Sequence, residues 1–294
     1  MDYLIKALAL NEQVRVYLVK NKDSVNEAIK RHDLWPSASS VLGKTMSIGV
    51  MMGAMMKNDE ALTIKINGNG PIGNVIVDAN AIGEVRGYVD NPHINFVNAS
   101  GGLNDEVAIG DNGYLDVIKD LKLKDFFTST IALTGNIAND FTYYFLESDQ
   151  TNSAVYLGIK IDVNNLAEVS GGLLFQLLPN TEEATIIKLE KCLEKIDNVS
   201  NFLSEHSLEE ILTILFDNNY QIVDKKEVKF SCPCSKDSFA KGLITLGEKD
   251  LNEILVEDKK IETVCHYCKE VYIFDEDEIK ELVKETRKWI MNLF

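Results

Sequence analysis

Apolar and polar positions divide the chain into two regimes. As far as about Leu178, strand-like stretches alternate with helix-like ones. β-Branched alternation surrounds Val14, Val16 and Leu18, whereas residues 24–31 and 37–57 read as helices, the second rich in Met and small residues. Between Leu62 and Ile161 the pattern falls into short runs, LTIKI, NVIVDA, EVRGYV, STIALTG, TYYFL and AVYLGIKI, which predict strands. Turn residues punctuate them at Asn67-Gly68, Asn69-Gly70-Pro71, Asn91-Pro92, Gly101-Gly102 and Asn112-Gly113. Several short strands with a few helices predict an α+β domain of antiparallel sheets.

After Leu178-Pro179-Asn180 the period changes. Thr181 is placed to cap a helix, with Glu182 and Glu183 near its N-terminus. Ile186, Leu189, Leu193 and Ile196 follow at helical spacing, a second amphipathic run covers Leu208 to Phe216, and a last helix spans about Glu276 to Met291. These shifts predict an N-terminal core over residues 1–178, a helical linker over 179–228 and a small C-terminal domain over 229–294. There is no internal repeat and no low-complexity tract.

Composition narrows the function classes. The 294 residues are 45% hydrophobic and 26% charged, as in ordinary globular proteins. With 30 Lys+Arg against 46 Asp+Glu the net charge is −16, which repels nucleic acid and anionic membrane alike. The first residues lack a basic region and a small-residue cleavage site, and the longest strongly apolar run, Thr45 to Met56, is too short to span a bilayer. A cytoplasmic protein with no nucleic-acid or membrane partner is expected, and in a reducing compartment clustered cysteines point to metal or redox chemistry.

Two glycine-bearing segments imitate phosphate-binding motifs. Ala38-Ser-Ser-Val-Leu-Gly43-Lys44-Thr45 nearly spells a P-loop, but Ala replaces the first Gly and no buried strand precedes it. Gly68-Asn-Gly70-Pro-Ile-Gly73 matches the dinucleotide fingerprint literally, yet β-branched Val75-Ile76-Val77 follows where a helix must begin. An ordinary helix and a hairpin turn are the expected readings.

Four of the five cysteines fall in two pairs, Cys232-Pro-Cys234 and Cys265-His-Tyr-Cys268. Four thiolates suit tetrahedral zinc, and on spacing alone a purely structural knuckle and a redox-active site both remain open, the structural one being the commoner. Lys229, Lys236, Lys241 and Lys269 flank the pairs, where they either depress thiol pKa values or lie solvated on the surface. His266, between Cys265 and Cys268, is a competing ligand, disfavoured because four sulfurs are already available. Cys192, alone on an amphipathic helix, reads as a small buried hydrophobe.

With these residues in view, the chain resembles the 33 kDa chaperonin family of redox-regulated heat-shock holdases over essentially its whole length. Residues 43–73, EVRGYVDNP (84–92), the YYFLESDQT stretch (143–151), SGGLLFQLLPN (170–180), FSCPCSKDSF (230–239) and VCHYCKEVYIFD (264–275) carry the resemblance in family order. Asp149 stands where the family more often has Glu, and Asn180 where Gly is common. The resemblance implies an ATP-independent chaperone with no catalytic residue. It implies one zinc per reduced chain on Cys232, Cys234, Cys265 and Cys268. It further implies disulfides Cys232–Cys234 and Cys265–Cys268 on oxidation, zinc release, dimerisation and binding of unfolding client proteins. It leaves the client-binding residues unknown; the apolar faces of the helices over 181–216 are candidates. The physics is compatible: a small C-terminal region leans on its metal for folding energy. A zinc-ribbon nucleic-acid module and a thiol–disulfide oxidoreductase using Cys265 and Cys268 are the rival readings, disfavoured by the acidic charge and by the strand-like Val271-Tyr272-Ile273-Phe274.

Overall fold

A computed structural model describes residues 1–291, with side chains as far as Thr286; positions 292–294 of the expected C-terminal domain lie outside the described residues. The chain forms two compact units, Met1–Ser231 and the residues from Cys232 onward. The architecture is α+β.

The first unit is built on two sheets. In chain order its elements are β1 (Tyr3–Ala9), β2 (Val14–Lys20), α1 (Lys22–His32), α2 (Pro36–Gly53), β3 (Ala61–Gly68), β4 (Asn74–Asn80), β5 (Glu84–Val89), α3 (Asp105–Ile109), β6 (Gly113–Asp120), β7 (Phe127–Ala132) and α4 (Ile137–Glu147). They continue with β8 (Ser153–Ile161), β9 (Ala167–Leu177), α5 (Glu183–Leu193), α6 (Val199–Glu205), α7 (Leu208–Phe216), β10 (Tyr220–Glu227) and the two-residue β11 (Lys229–Phe230). One sheet has the order β10-β1-β2-β9-β8, the other β11-β5-β4-β3-β6-β7. All pairings are antiparallel except the short parallel β11–β5 pair.

Helix α2 packs on strands of both sheets and buries 16 of its 18 residues. That explains its composition: small residues and methionines fill a site with protein on every side, and the buried Thr45 and Ser47 hydroxyls donate to the carbonyls of Val41 and Gly43 at 2.8 and 2.9 Å. A Cβ on Gly43 would lie 2.6 Å from the Ile159 Cδ1 atom of β8, so this glycine serves close helix–sheet packing. The second phosphate-like motif is a turn. Gly68 ends β3, and a Cβ on Gly70 would lie 2.4 Å from the Ala108 carbonyl oxygen. Substituting Gly70→Ala should therefore lower the stability of the first unit by about 1–3 kcal/mol through overpacking against backbone. A shift in the urea midpoint would show it; an unchanged midpoint would contradict the steric reading.

The β10-to-β8 sheet is covered on both faces. Leu4, Tyr17, Val19 and Leu174 point into the α2 core, whereas Ile5, Val16, Leu18, Leu173 and Phe175 form a second core with Leu189, Cys192, Leu203, Leu212 and Phe216 from α5, α6 and α7. The segment 179–228 thus holds three helices laid over one sheet face, together with the edge strand β10.

Two local expectations are corrected and one is extended. TYYFL is part of α4, not a strand: Asn136 caps the helix by accepting from the Asn139 N–H at 3.1 Å, and Phe141, Tyr144 and Phe145 are buried at helical spacing. Thr181 does not cap α5; Glu182 holds that position, and the Thr181 hydroxyl donates to the Gln13 and Leu178 carbonyls. The strand character expected near the N-terminus extends to β1, which precedes Val14. At one departure from the family pattern, Asn180 has φ 65°, the left-handed region where Gly is the default and Asn the usual substitute.

The second unit has elements α8 (Lys236–Ile244), α9 (Glu248–Glu257), β12 (Ile261–Val264), β13 (Val271–Phe274) and α10 (Glu276–Met291). Its described core holds six buried side chains, Leu251, Ile261, Phe274, Ile279, Leu282 and Val283.

Candidate metal centre

Two local structures in the second unit present the cysteines. β12 and β13 pair antiparallel, Val264 opposite Val271, and the turn between them carries Cys265 and Cys268. The Cys265 N–H donates to the Glu270 carbonyl and the Lys269 N–H to the Cys265 carbonyl, both at 2.9 Å, with Lys269 at φ 59°. This closed turn aims both sulfurs to one side. Cys232 and Cys234 come from the segment before α8. Ser235 caps that helix in a reciprocal capping box with Ser238, which fixes Cys234 one residue ahead of the helix N-terminus, where the dipole favours a thiolate.

All four sulfurs lie within 4.8 Å of one another. Cys232 Sγ is 3.7 Å from Cys265 Sγ, and Cys234 Sγ is 3.3 Å from Cys268 Sγ. Cys265 and Cys268 are buried, Cys232 and Cys234 half-buried. Burial pushes the Cys234 and Cys268 thiols up, a cost of the charged form that a bound cation would offset. A soft tetrahedral dication does this, since coordination deprotonates the thiol outright. The donor set is therefore chemically complete for such an ion.

Several neighbours take roles that differ from a simple charge cushion. His266 is exposed and outside the four-sulfur group. Lys229 pairs with Glu84 at 3.2 Å, while Lys236 pairs with Glu278 and lies 5.0 Å above the Phe274 ring. Their charges are thus engaged by carboxylates and a ring. Lys241 is exposed on α8. Cys192 packs in the α5–α7 core, as a small hydrophobe would.

Sequence reasoning missed Tyr272. Its hydroxyl donates to the Cys234 carbonyl at 3.2 Å and lies 3.3 Å from Cys234 Sγ, tying β13 to the Cys232–Cys234 segment. The contact with Cys234 raises the phenol pKa, which keeps it a donor. Only the alternation of Val271-Tyr272-Ile273-Phe274 hinted at it, by placing Tyr272 on the face opposite Ile273. Outer-shell donors of this kind typically change metal affinity by about 10–100-fold. Tyr272→Phe should accordingly release metal to a chromogenic chelator at roughly tenfold lower chelator concentration; release identical to the parent chain would remove the hydroxyl from the site.

Comparison with known proteins gives a consistent picture. A family model described as Hsp33 protein matches residues 2–275. The 33 kDa chaperonin of Bacillus velezensis is 44% identical over 98% of this chain and 100% of its own length. The 33 kDa chaperonin of Bacillus subtilis is 42% identical with the same coverage. Among solved structures, the 33 kDa chaperonin of Thermotoga maritima superposes with a TM-score of 0.90 at 30% identity, covering 97% of this chain and 99% of that one. Among the described residues, no helix is long and apolar enough to cross a membrane.

Proposed function

The chain belongs to the Hsp33 family of chaperones, and from that premise we propose that it is an ATP-independent holdase, resting when reduced and switched on by thiol oxidation. Cys232, Cys234, Cys265 and Cys268 are the proposed ligands and the proposed redox residues, with one zinc per reduced chain. Bound zinc would supply cross-linking of the two cysteine segments and charge compensation for four thiolates. The single observation that carries the reading is the convergence of all four sulfurs within 4.8 Å in a unit with only six buried side chains in its described core.

The oxidation step balances simply. Two molecules of hydrogen peroxide take four electrons from four thiol groups, and two disulfides and four waters form. Connectivity decides the mechanical outcome. Cys232–Cys234 and Cys265–Cys268 disulfides are local, so each segment keeps its own bond and neither holds the other. Cross pairs, Cys232–Cys265 and Cys234–Cys268, would staple the segments where they stand. Only local pairing lets the unit open, and local pairing is the connectivity we propose.

Opening then passes along the chain. Residues 179–228 act as the linker between the switch region, 229–294, and the core, 1–178, and their helices cover an apolar sheet face that includes Leu18, Leu173 and Phe175. Loosening them exposes surface for unfolding clients, with dimerisation of the oxidised form, a cytoplasmic setting and no nucleic-acid or membrane partner as further parts of the proposal. Mass-spectrometric disulfide mapping after peroxide at mild heat tests it. Two local disulfides are expected; the two cross-segment disulfides would overturn the opening mechanism.

A further inference from the structure

The two large sheets have four outer edges, and three carry devices that discourage another strand. β10 bears Asp224, Lys225, Lys226 and Glu227 and has a register shift against β1. β8 has a register shift at Lys160/Ile161, a Lys160–Glu168 ion pair at 2.7 Å, and the α6 backbone close beside Gly158. β11 is two residues long and carries Lys229. Charge, irregularity, cover and brevity are the usual guards of a sheet edge.

β7 has no charge, no irregularity of register and three times the length of β11. It ends its sheet, pairs with β6 in unbroken register, and contains no charged residue or proline. The uncharged stretch runs from Phe126 to Asn139 in a chain whose net charge is −16. Thr128, Thr130 and Ala132 on the solvent side are exposed, and Phe126 and Phe127 at its start are 69% and 51% exposed. An open edge of this kind presents unpaired backbone N–H and C=O groups, and these fit another extended backbone irrespective of its side chains.

We infer that β7 is a docking edge that takes an extended, uncharged, β-prone segment of an unfolding protein as an added strand. The inference rests on the chaperone reading and supplies one of its binding surfaces. Backbone pairing is tolerant of sequence, as a receptor for unrelated unfolded chains requires. A second copy of this chain fits less well, because a six-residue edge falls far short of the roughly 1,000 Å² that a stable interface needs. One added strand binds weakly, so firm holding requires the surface uncovered in the oxidised state as a second point of attachment.

The test is backbone amide exchange of the whole oxidised chain, with reduced, carboxymethylated α-lactalbumin as the unfolded client. Client should slow exchange of outward-facing amides in 127–132 by about tenfold and leave those of β8 and β10 unchanged. A T128K/A132K double variant places guards at two exposed positions and should raise the client concentration for half-saturation about fivefold, while T128S/A132S binds as the parent does. Client held with unchanged β7 exchange, or held equally well by the lysine variant, overturns the inference and leaves the holdase reading standing. Protection at β7 that grows with protein concentration in the absence of client assigns the edge to a second copy and also overturns it. Failure of the oxidised parent to hold any client defeats both.

Discussion

Removing metal from the reduced chain with a strong chelator is expected to unfold the second unit and leave the sheets of the first intact. Structural zinc in small domains contributes about 10–16 kcal/mol of apparent binding free energy, against total stabilities of about 5–15 kcal/mol for whole domains. The second unit has six buried side chains in its described core and a two-stranded sheet. Two strands are marginal without further support; Ile261 and Phe274 share a small core with α9 and α10, and the proposed metal on the four sulfurs would add the rest by joining the β12–β13 turn to the segment before α8. The first unit has no such dependence, since its two cores are closed by sheets and helices. Amide exchange after chelation should show residues 232–286 fully exchanged while β1, β2, β4 and α2 stay protected. Persistent protection of α8, α9 and β12 without metal would show that the unit folds by itself and that oxidation needs another way to open it.

The second large effect concerns the cover of the sheet. Leu212 on α7 is fully buried against the β10-to-β8 sheet. Leu212→Ala should cost about 2–5 kcal/mol through lost burial and the cavity it leaves. α7 is nine residues long and is held by its apolar face and its Ser207–Glu210 capping box more than by intrinsic propensity. Weakening that face raises the population in which the helices have left the sheet. The reduced variant, with its metal still bound, should therefore suppress aggregation of a thermally unfolding client without added oxidant. A variant destabilised to the expected degree yet inactive until oxidised would show that clients bind elsewhere than beneath α5–α7.

Much of this arrangement was legible in the sequence, and what was not has physical causes. The α+β class followed from alternating runs separated by turn residues, and Leu208–Phe216 forms a helix with those limits. The four cysteines were readable as a candidate ligand set from their close pairs, and their sulfurs do converge within 4.8 Å. β9 was not legible as a strand, because both its faces are buried and Leu173, Leu174 and Phe175 run together without alternation. TYYFL misled in the opposite sense: its aromatics favour strands, but Tyr144 and Phe145 are buried with Phe141 along one face of α4 while Tyr143 stays exposed, and that packing overrides the preference. Thr181 lost its capping role to a tertiary contact with Gln13, which sequence separation conceals. Tyr272 was invisible as a site residue because its partner lies 38 positions away and is a backbone carbonyl.

In the proposed switch, loss of the four thiols, loss of metal and gain of client holding are one event. The most direct measurement follows a single reduced sample through peroxide treatment at mild heat, recording free zinc, remaining thiols and suppression of client aggregation together. The four cluster thiols and one zinc per chain should disappear from the protein on the same time course as suppression appears. Reductant with zinc should reverse all three. Suppression that develops while the metal stays bound, or zinc and thiols lost with no suppression gained, would contradict this switch.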